Sequence, residues 1–208
     1  MSDGLLYVFQ ILGVVAFAIS GALVAIDKKM DIFGVIILGI VTATGGGFIR
    51  DLSLGITPPL VFVDPTYAIC ASITSVIVFL KPVRNLIKKE ENIFDTVLIV
   101  VDSLGLSLFA MTGIQIAYGI SSDYNIFFLC FVGLITGTGG SILRDIMSQN
   151  MPYIFKKHFY ACAAIAGSLI ASLLWERTGS ALAMAIGASV IFTLRMFAAY
   201  FHWELPHA

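Results

Sequence analysis

A ten-residue segment rich in glycine occurs twice, each time inside an apolar stretch of the chain. The first copy reads Thr42-Ala43-Thr44-Gly45-Gly46-Gly47-Phe48-Ile49-Arg50-Asp51. The second reads Thr136-Gly137-Thr138-Gly139-Gly140-Ser141-Ile142-Leu143-Arg144-Asp145 and lies 94 positions later. Each glycine weakens a helix by roughly 1 kcal/mol relative to alanine, and in lipid every freed backbone group needs a partner. Both copies carry this loss of helix stability. The sequence therefore predicts that each segment interrupts a helix and that the interruption has a function.

Composition places these segments in a membrane. The chain has 208 residues, of which 59% are hydrophobic and only 12% are charged, and its mean hydropathy is +0.97. A soluble domain carries about 25% charged residues. The sequence therefore predicts an integral membrane protein, and the absence of a basic run argues against a nucleic-acid partner.

Apolar windows predict seven transmembrane helices, with the glycine segments in the second and fifth. The approximate bounds are 5–26, 32–54, 65–83, 95–118, 124–149, 158–176 and 180–201. Basic residues cluster after the first, third and fifth spans, namely Lys28, Lys29, Lys81, Arg84, Lys88, Lys89, Lys156 and Lys157. The positive-inside rule then puts the N-terminus outside and the C-terminus in the cytoplasm.

The duplication extends beyond the glycine segments. Six residues of the first span align with six of the fourth at an offset of 92: Gly13, Phe17, Ala18, Ser20, Gly21 and Ala25 with Gly105, Phe109, Ala110, Thr112, Gly113 and Ala117. Pro58 also matches Pro152 at the offset of 94. We therefore predict a first three-helix repeat over 1–93, a second over 94–176, and a seventh helix with a short tail over 177–208. An odd number of spans per repeat gives the second copy the opposite topology, so the predicted fold is all-α with inverted repeats and with helices 2 and 5 broken.

Inverted repeats with interrupted helices point to a solute site near the middle of the membrane. Carbonyls freed at a break, together with threonine hydroxyls, would suit a cation. The half-helices beginning near Phe48 and Ile142 would present positive ends that suit a carboxylate, so an amino-acid zwitterion fits as well. A plainer alternative is that the glycines only allow two helices to cross closely. The duplication and the following Arg-Asp pairs favour a functional break.

Five charged residues lie deep within predicted spans: Arg50, Asp51, Asp102, Arg144 and Asp145. Such groups cost several kcal/mol unless they are paired or hydrated. Adjacent residues such as Arg50 and Asp51 are expected to face different sides of a helix and not to neutralise each other. Depth along the spans, at about 1.5 Å per residue, instead predicts a contact between Asp102 and Arg144, with Gln10 facing Arg50 as its counterpart. These pairs either close a pore wall or only tie the helices together.

The remaining polar and aromatic residues are less informative. Ser20 and Thr112 repeat in register and are either lumenal hydroxyls or backbone-bonded helix residues. Aromatic residues near span ends are predicted to form an interfacial belt: Tyr153, Tyr160, Trp175, Tyr200 and Trp203. Neither the three cysteines nor the three histidines show metal-ligand spacing. We therefore expect no tightly bound metal or cofactor, and the absence of a catalytic triad or phosphate loop predicts that the chain is not an enzyme.

The paired motif resembles that of the trimeric intracellular cation (TRIC) channels, and in particular their prokaryotic branch, whose repeat domain is also described as a glycine transporter domain. The resemblance covers the chain from about Leu5 to Phe201. It implies a homotrimer with one pore per protomer, permeable to potassium and sodium and lined by spans one, two, four and five. It assigns to the pore Thr44, Gly45, Gly46, Gly47, Thr138, Gly139, Gly140 and Ser141, with Arg50, Asp51, Arg144 and Asp145 as motif charges.

Two features depart from that family. Ser141 stands where the first copy has a third glycine, and no basic residue lies between Asp95 and Asp123, where animal members carry a gating lysine. The expected function is a passive monovalent-cation channel in a prokaryotic inner membrane, with membrane lipids and further copies of itself as partners. The alternatives are a secondary transporter of glycine or another small neutral solute and, less favoured because of the buried charges, a scaffold that transports nothing.

Overall fold

The computed structural model describes residues 3–83, 91–156, 159–201 and 203, and this part of the chain consists of helices and their connections. The helices are α1 (Asp3–Asp27), α2 (Ile32–Ser53), α3 (Leu60–Val63), α4 (Thr66–Phe79), α5 (Glu91–Ile120), α6 (Ile126–Met147), α7 (Tyr153–Lys156), α8 (Tyr160–Thr178) and α9 (Ser180–Tyr200). An order of long, long, short and long helices thus occurs twice and is followed by α9. Several basic residues that support the predicted orientation lie outside the described residues: Arg84, Lys88, Lys89 and Lys157.

Five described helices are long and apolar enough to cross a membrane: Leu6–Asp27, Ile32–Ser53, Phe94–Ile120, Ile126–Met147 and Ser180–Tyr200. The chain is therefore an all-helical membrane protein. Helix α4 has 14 residues and is about 21 Å long, which is less than the roughly 30 Å of the hydrocarbon layer. Helix α8 ends in the charged residues Glu176 and Arg177. The count of seven spans stays a prediction for these two helices.

The two glycine-bearing helices begin and end in the same way. The side chain of Asp31 accepts a hydrogen bond from the backbone N–H of Gly34 at 2.8 Å, and Asn125 accepts one from Phe128 at 2.8 Å. Both are standard N-cap contacts, which satisfy an N–H group that lacks a partner within the helix. Each helix therefore has a local signal that fixes its start.

Both helices continue without interruption through the glycines, so the predicted breaks are wrong. The reason is that α2 and α6 cross there with their backbones in contact. A Cβ atom on Gly46 would lie 2.1 Å from the carbonyl oxygen of Thr136, and one on Gly140 would lie 2.0 Å from that of Thr42. Small residues let membrane helices approach this closely, and the helical hydrogen bonds stay intact. The plainer alternative is the one that the structure adopts.

Reciprocal contacts also join α1 to α5. Gly13 packs against the ring of Phe109, Gly105 packs against the ring of Phe17, and the two rings stack with centroids 5.3 Å apart. Helices α1, α2, α5 and α6 thus form the centre of the molecule. Helix α4 covers α1 and α2, α8 covers α6, and α9 packs against α5 and α8.

Alanine substitutions within one glycine triplet should show whether the glycines are needed for the close helix crossing or for flexibility of the helix. We expect Gly46→Ala to destabilise the protein by about 1–3 kcal/mol, because its methyl group overlaps a backbone carbonyl and the helices must separate. At Gly47 a Cβ atom would lie 3.5 Å from its nearest neighbour, a side-chain nitrogen of Arg50. Gly47→Ala should therefore be neutral, or stabilising by up to about 1 kcal/mol.

Thermal unfolding of the detergent-solubilised variants, followed by tryptophan fluorescence, measures this difference. Gly140→Ala should behave as Gly46→Ala does. Equal stability of Gly46→Ala and Gly47→Ala would contradict the crossing as the reason for the glycines.

Candidate functional site

The second motif carries a fully buried arginine that joins three helices. The Nη1 atom of Arg144 lies 2.5 Å from Oδ1 of Asp102 on α5 and donates a hydrogen bond to Ser20 on α1. Its Nε atom donates to Oδ1 of Asp145 at 2.9 Å. The predicted contact between Asp102 and Arg144 is present, and Ser20 is part of the same cluster.

Each motif aspartate connects its own arginine to the next short helix. Asp51 pairs with Arg50 at 2.6 Å through Oδ1, while its Oδ2 accepts the backbone N–H of Leu60 at 2.8 Å. Asp145 pairs with Arg144 at 2.8 Å, and its Oδ2 accepts the N–H of Tyr153 at 3.0 Å. The expectation that adjacent Arg and Asp do not neutralise each other is wrong. Both pairs lie in the last turns of their helices, and the long arginine side chain bends back to its neighbour.

The short helices correct the alignment of the two copies by one residue. Pro59 precedes α3 as Pro152 precedes α7, so Pro59 rather than Pro58 is the equivalent of Pro152. The connection that begins at Asp51 is one residue longer than the one that begins at Asp145. With this alignment Tyr67 of α4 corresponds to Tyr160 of α8.

The first motif borders a small cavity of about 40 Å³, whose wall combines polar and apolar side chains. Its polar lining includes Gln10, Thr44, Arg50 and Tyr67, and Gly47 forms part of the wall. The hydroxyl of Tyr67 donates a hydrogen bond to Oε1 of Gln10 at 2.6 Å. Gln10 therefore has Tyr67 as its partner instead of the predicted Arg50, whose guanidinium is held by Asp51.

The corresponding region of the second motif is closed. The hydroxyls of Tyr160 and Ser141 are hydrogen-bonded at 2.9 Å, and Ser141 donates to the carbonyl of Thr138 at 2.8 Å. Tyr160 and Ser141 are each 1% exposed, whereas their counterparts Tyr67 and Gly47 are partly exposed. The prediction that Tyr160 belongs to an interfacial belt is wrong, because the ring lies in the core.

Other residues predicted from the motif have helix-internal roles. The hydroxyls of Thr44, Thr138 and Thr112 donate to the carbonyls of Ile40, Leu134 and Phe109. Thr112 thus takes the backbone-bonded alternative. Gly45, Gly46, Gly139 and Gly140 lie in the helix crossing, while Thr44 and Gly47 line the cavity.

Two further residues lie over the buried cluster. The ring of Tyr153 is centred 5.2 Å from the guanidinium carbon of Arg144, and burial raises the pKa of its phenol to about 12, so the group stays neutral. Arg195 of α9 is 3% exposed, and its guanidinium carbon lies 4.6 Å from the centre of the Tyr160 ring. The sequence analysis missed Arg195, although an arginine inside the predicted span 180–201 was a signal of the same kind as Arg144.

Metal-binding clusters are absent from the part of the chain that the structure describes. No group of three or more His, Cys, Asp or Glu side chains is close enough there to hold an ion. Cys70, Cys130 and Cys162 are unpaired thiols, each partly buried.

These features define a helical membrane protein with a small cavity at the first motif and a buried ionic cluster at the second. A family model described as Glycine transporter matches the chain twice, at residues 7–82 and 99–176. The UPF0126 membrane protein YvgT of Bacillus subtilis is 34% identical over 198 residues, covering 95% of this chain and 94% of YvgT. The UPF0126 inner membrane protein YadS of Escherichia coli K12 is 34% identical over 204 residues, covering 97% and 95%.

Solved structures give the same relationship. A structure described for conductance through TRIC cation channels is 35% identical, with a TM-score of 0.83, and the match covers 100% of this chain and 98% of that one. The TRIC orthologue from Rhodobacter sphaeroides is 31% identical, with a TM-score of 0.87, over 97% of this chain and 100% of the other. The chain therefore belongs to the prokaryotic TRIC family, which the Glycine transporter model also describes.

The ionic cluster predicts that substitutions at the equivalent residues Asp102 and Gln10 lower the stability of the protein by unequal amounts. Asp102→Ala should destabilise the protein by about 1.5–3 kcal/mol, because buried Arg144 keeps Asp145 but loses its charged hydrogen bond across the helix interface. Gln10→Ala removes only a neutral hydrogen bond, which contributes about 1 kcal/mol. Denaturant titration of both variants in the same detergent tests this prediction. If the two variants lose equal stability, Asp102 is not a structural partner of Arg144.

Proposed function

We propose that this chain is a channel for monovalent cations, with little selectivity between potassium and sodium. The observation that carries the proposal is the small cavity at the first motif, which is bordered by Gln10 and Thr44 of the central helices and by Tyr67 of α4. TRIC cation channels share the fold at 30–35% identity over nearly the whole chain. The relatives are channels and membrane proteins rather than enzymes, in agreement with the prediction from the motifs.

The cavity offers weak oxygen ligands without an unpaired positive charge. Gln10, Thr44 and Tyr67 contribute neutral oxygens, and Asp51 neutralises Arg50 within the wall. Conduction requires sites that bind an ion weakly enough to release it. Because the helices are unbroken, the path that we propose runs beside the α2–α6 crossing and not through gaps in the helices.

The closed cluster at the second motif is the barrier in this path. Asp102, Ser141, Arg144 and Tyr160 are all at most 1% exposed, so conduction requires them to separate. The Oδ2 atom of Asp102 has no hydrogen-bond partner among the described residues. When Arg144 moves away, this carboxylate oxygen would face the passing cation.

The assembly that we propose is a homotrimer with one pore per protomer, surrounded by lipid in a prokaryotic inner membrane. The location is supported by YadS, which is an inner membrane protein. The N-terminus outside and the C-terminus in the cytoplasm follow from the positive-inside rule. An inverted relation of the two copies is supported by the reciprocal contacts Gly13–Phe109 and Gly105–Phe17. No resident cofactor is required, since the cations are the transported species.

Single-channel recording in planar bilayers with asymmetric potassium chloride tests the channel. We expect unitary currents that reverse near the potassium potential. Gly47→Leu should reduce the unitary conductance to roughly half or less, because its side chain fills the cavity. Gly119→Leu is the matched control, since nothing lies within 4 Å of a Cβ atom at Gly119 and this residue does not line the cavity.

A transporter would give a different result with the same protein. Silent bilayers together with saturable glycine uptake into liposomes would overturn the channel and assign the cavity to a substrate. A conductance that Gly47→Leu and Gly119→Leu leave equally unchanged would place the ion path elsewhere in the molecule.

A further inference from the structure

The last helix places a buried cation on a tyrosine of the closed cluster. Helix α9 follows the two copies of the helix order and has no counterpart within them. Its Arg195 is 3% exposed and lies 4.6 Å from the centre of the Tyr160 ring, which is 1% exposed. The same tyrosine is hydrogen-bonded to Ser141 at the second motif. Tyr160 therefore links Arg195 of α9 to Ser141 of the second motif.

Tyr67 is the equivalent of Tyr160 in the first copy, and α9 brings no arginine against its ring. It is partly exposed, lines the open cavity and donates its hydroxyl to Gln10 at 2.6 Å. Tyr160 instead faces the motif helix and is sealed from solvent. Three differences accompany this change: Ser141 replaces Gly47, Asp102 replaces Gln10, and α9 brings Arg195 against the ring.

We propose that Arg195 is a positioning residue that holds Tyr160 on Ser141 and thereby keeps the second motif closed. A guanidinium over an aromatic face is attracted to the ring, and the attraction is stronger where water is excluded. It restricts the ring to the plane in which the hydroxyl meets Ser141. The inference rests on the proposed channel function, because it identifies what keeps that channel shut.

Close packing at Gly167 and Gly187 anchors α9 at positions other than Arg195. A Cβ atom on Gly167 of α8 would meet Ile191 at 2.2 Å and the carbonyl of Gly187 at 2.7 Å. A Cβ atom on Gly187 would meet Met111 at 2.4 Å. This close packing docks α9 on α8 and α5, so loss of the guanidinium should leave the helix in place while it frees the tyrosine.

Open probability and unitary conductance, recorded in planar bilayers, distinguish positioning from a structural role. Arg195→Met should shift the closed–open equilibrium toward open by about five- to thirtyfold and leave the unitary conductance unchanged. Arg195→Lys should restore most of the closure, because it keeps a cation near the ring. Ser189→Ala, on the exposed side of α9, should behave as the wild type.

Tyr160→Phe tests the second half of the argument. It keeps the ring and removes the hydrogen bond to Ser141, so its open probability should also rise. The double variant Arg195→Met/Tyr160→Phe should open less than the product of the single effects predicts, because both act on one contact. Multiplicative effects, or a wild-type open probability in Arg195→Met, would overturn the proposal.

A labelling experiment decides the inference even in a protein that carries no current. Thr138→Cys, in a background with Cys70, Cys130 and Cys162 replaced by alanine, reports access to the closed region, because Thr138 is 2% exposed. A charged thiol reagent should modify it several times faster when Arg195 is methionine. Silent wild-type bilayers with this acceleration would remove the channel function and retain the positioning role; equal rates would remove the positioning role.

Discussion

The contact between the backbones of α2 and α6 is the constraint on which the rest of the structure depends. Gly46 and Gly140 each lie against a carbonyl of the opposite helix, and no residue with a side chain fits there. Both motifs have Arg and Asp at the same distance after the crossing. The crossing therefore fixes where both Arg-Asp pairs lie, and through them the starts of α3 and α7.

Two substitutions between the copies convert one arrangement into an open and a closed form. Where the first copy has Gln10 and Gly47, the second has Asp102 and Ser141. A carboxylate at position 102 binds Arg144 across the helix interface, and a hydroxyl at position 141 binds Tyr160. Gln10 and Gly47 provide neither contact, and a cavity is present beside them. The asymmetry of the site thus follows from these side chains on a repeated helix arrangement, together with Arg195 of the unrepeated helix α9.

Much of this was accessible from the sequence. Apolar composition predicted the membrane class, and depth along two spans predicted the contact between Asp102 and Arg144. The continuity of α2 and α6 could not be predicted from the sequence. A glycine triplet is compatible with a broken helix and also with an intact helix packed closely against another, and only the position of the second helix distinguishes them. The pairing of Arg50 with Asp51 was missed because the rule for adjacent residues describes which faces of a helix they occupy, and a long guanidinium side chain bends back past that limit. Arg195 was not predicted because it lies on α9, which is not repeated, so no counterpart in the other copy marked it.

The aspartate of each motif also explains how a buried arginine is compatible with movement. If Asp102 were the only partner of Arg144, opening the cluster would leave an uncompensated charge in an apolar interior, which costs several kcal/mol. Asp145 lies on the same helix and stays bonded to Arg144 whatever happens to α5. Separation of α5 from α6 then leaves Arg144 neutralised by Asp145, and the charge that loses its ionic partner is Asp102, whose carboxylate becomes available to the passing cation. The Arg-Asp dipeptide is in this sense a neutral unit, and the contact of Arg144 with Asp102 is the part that is free to change.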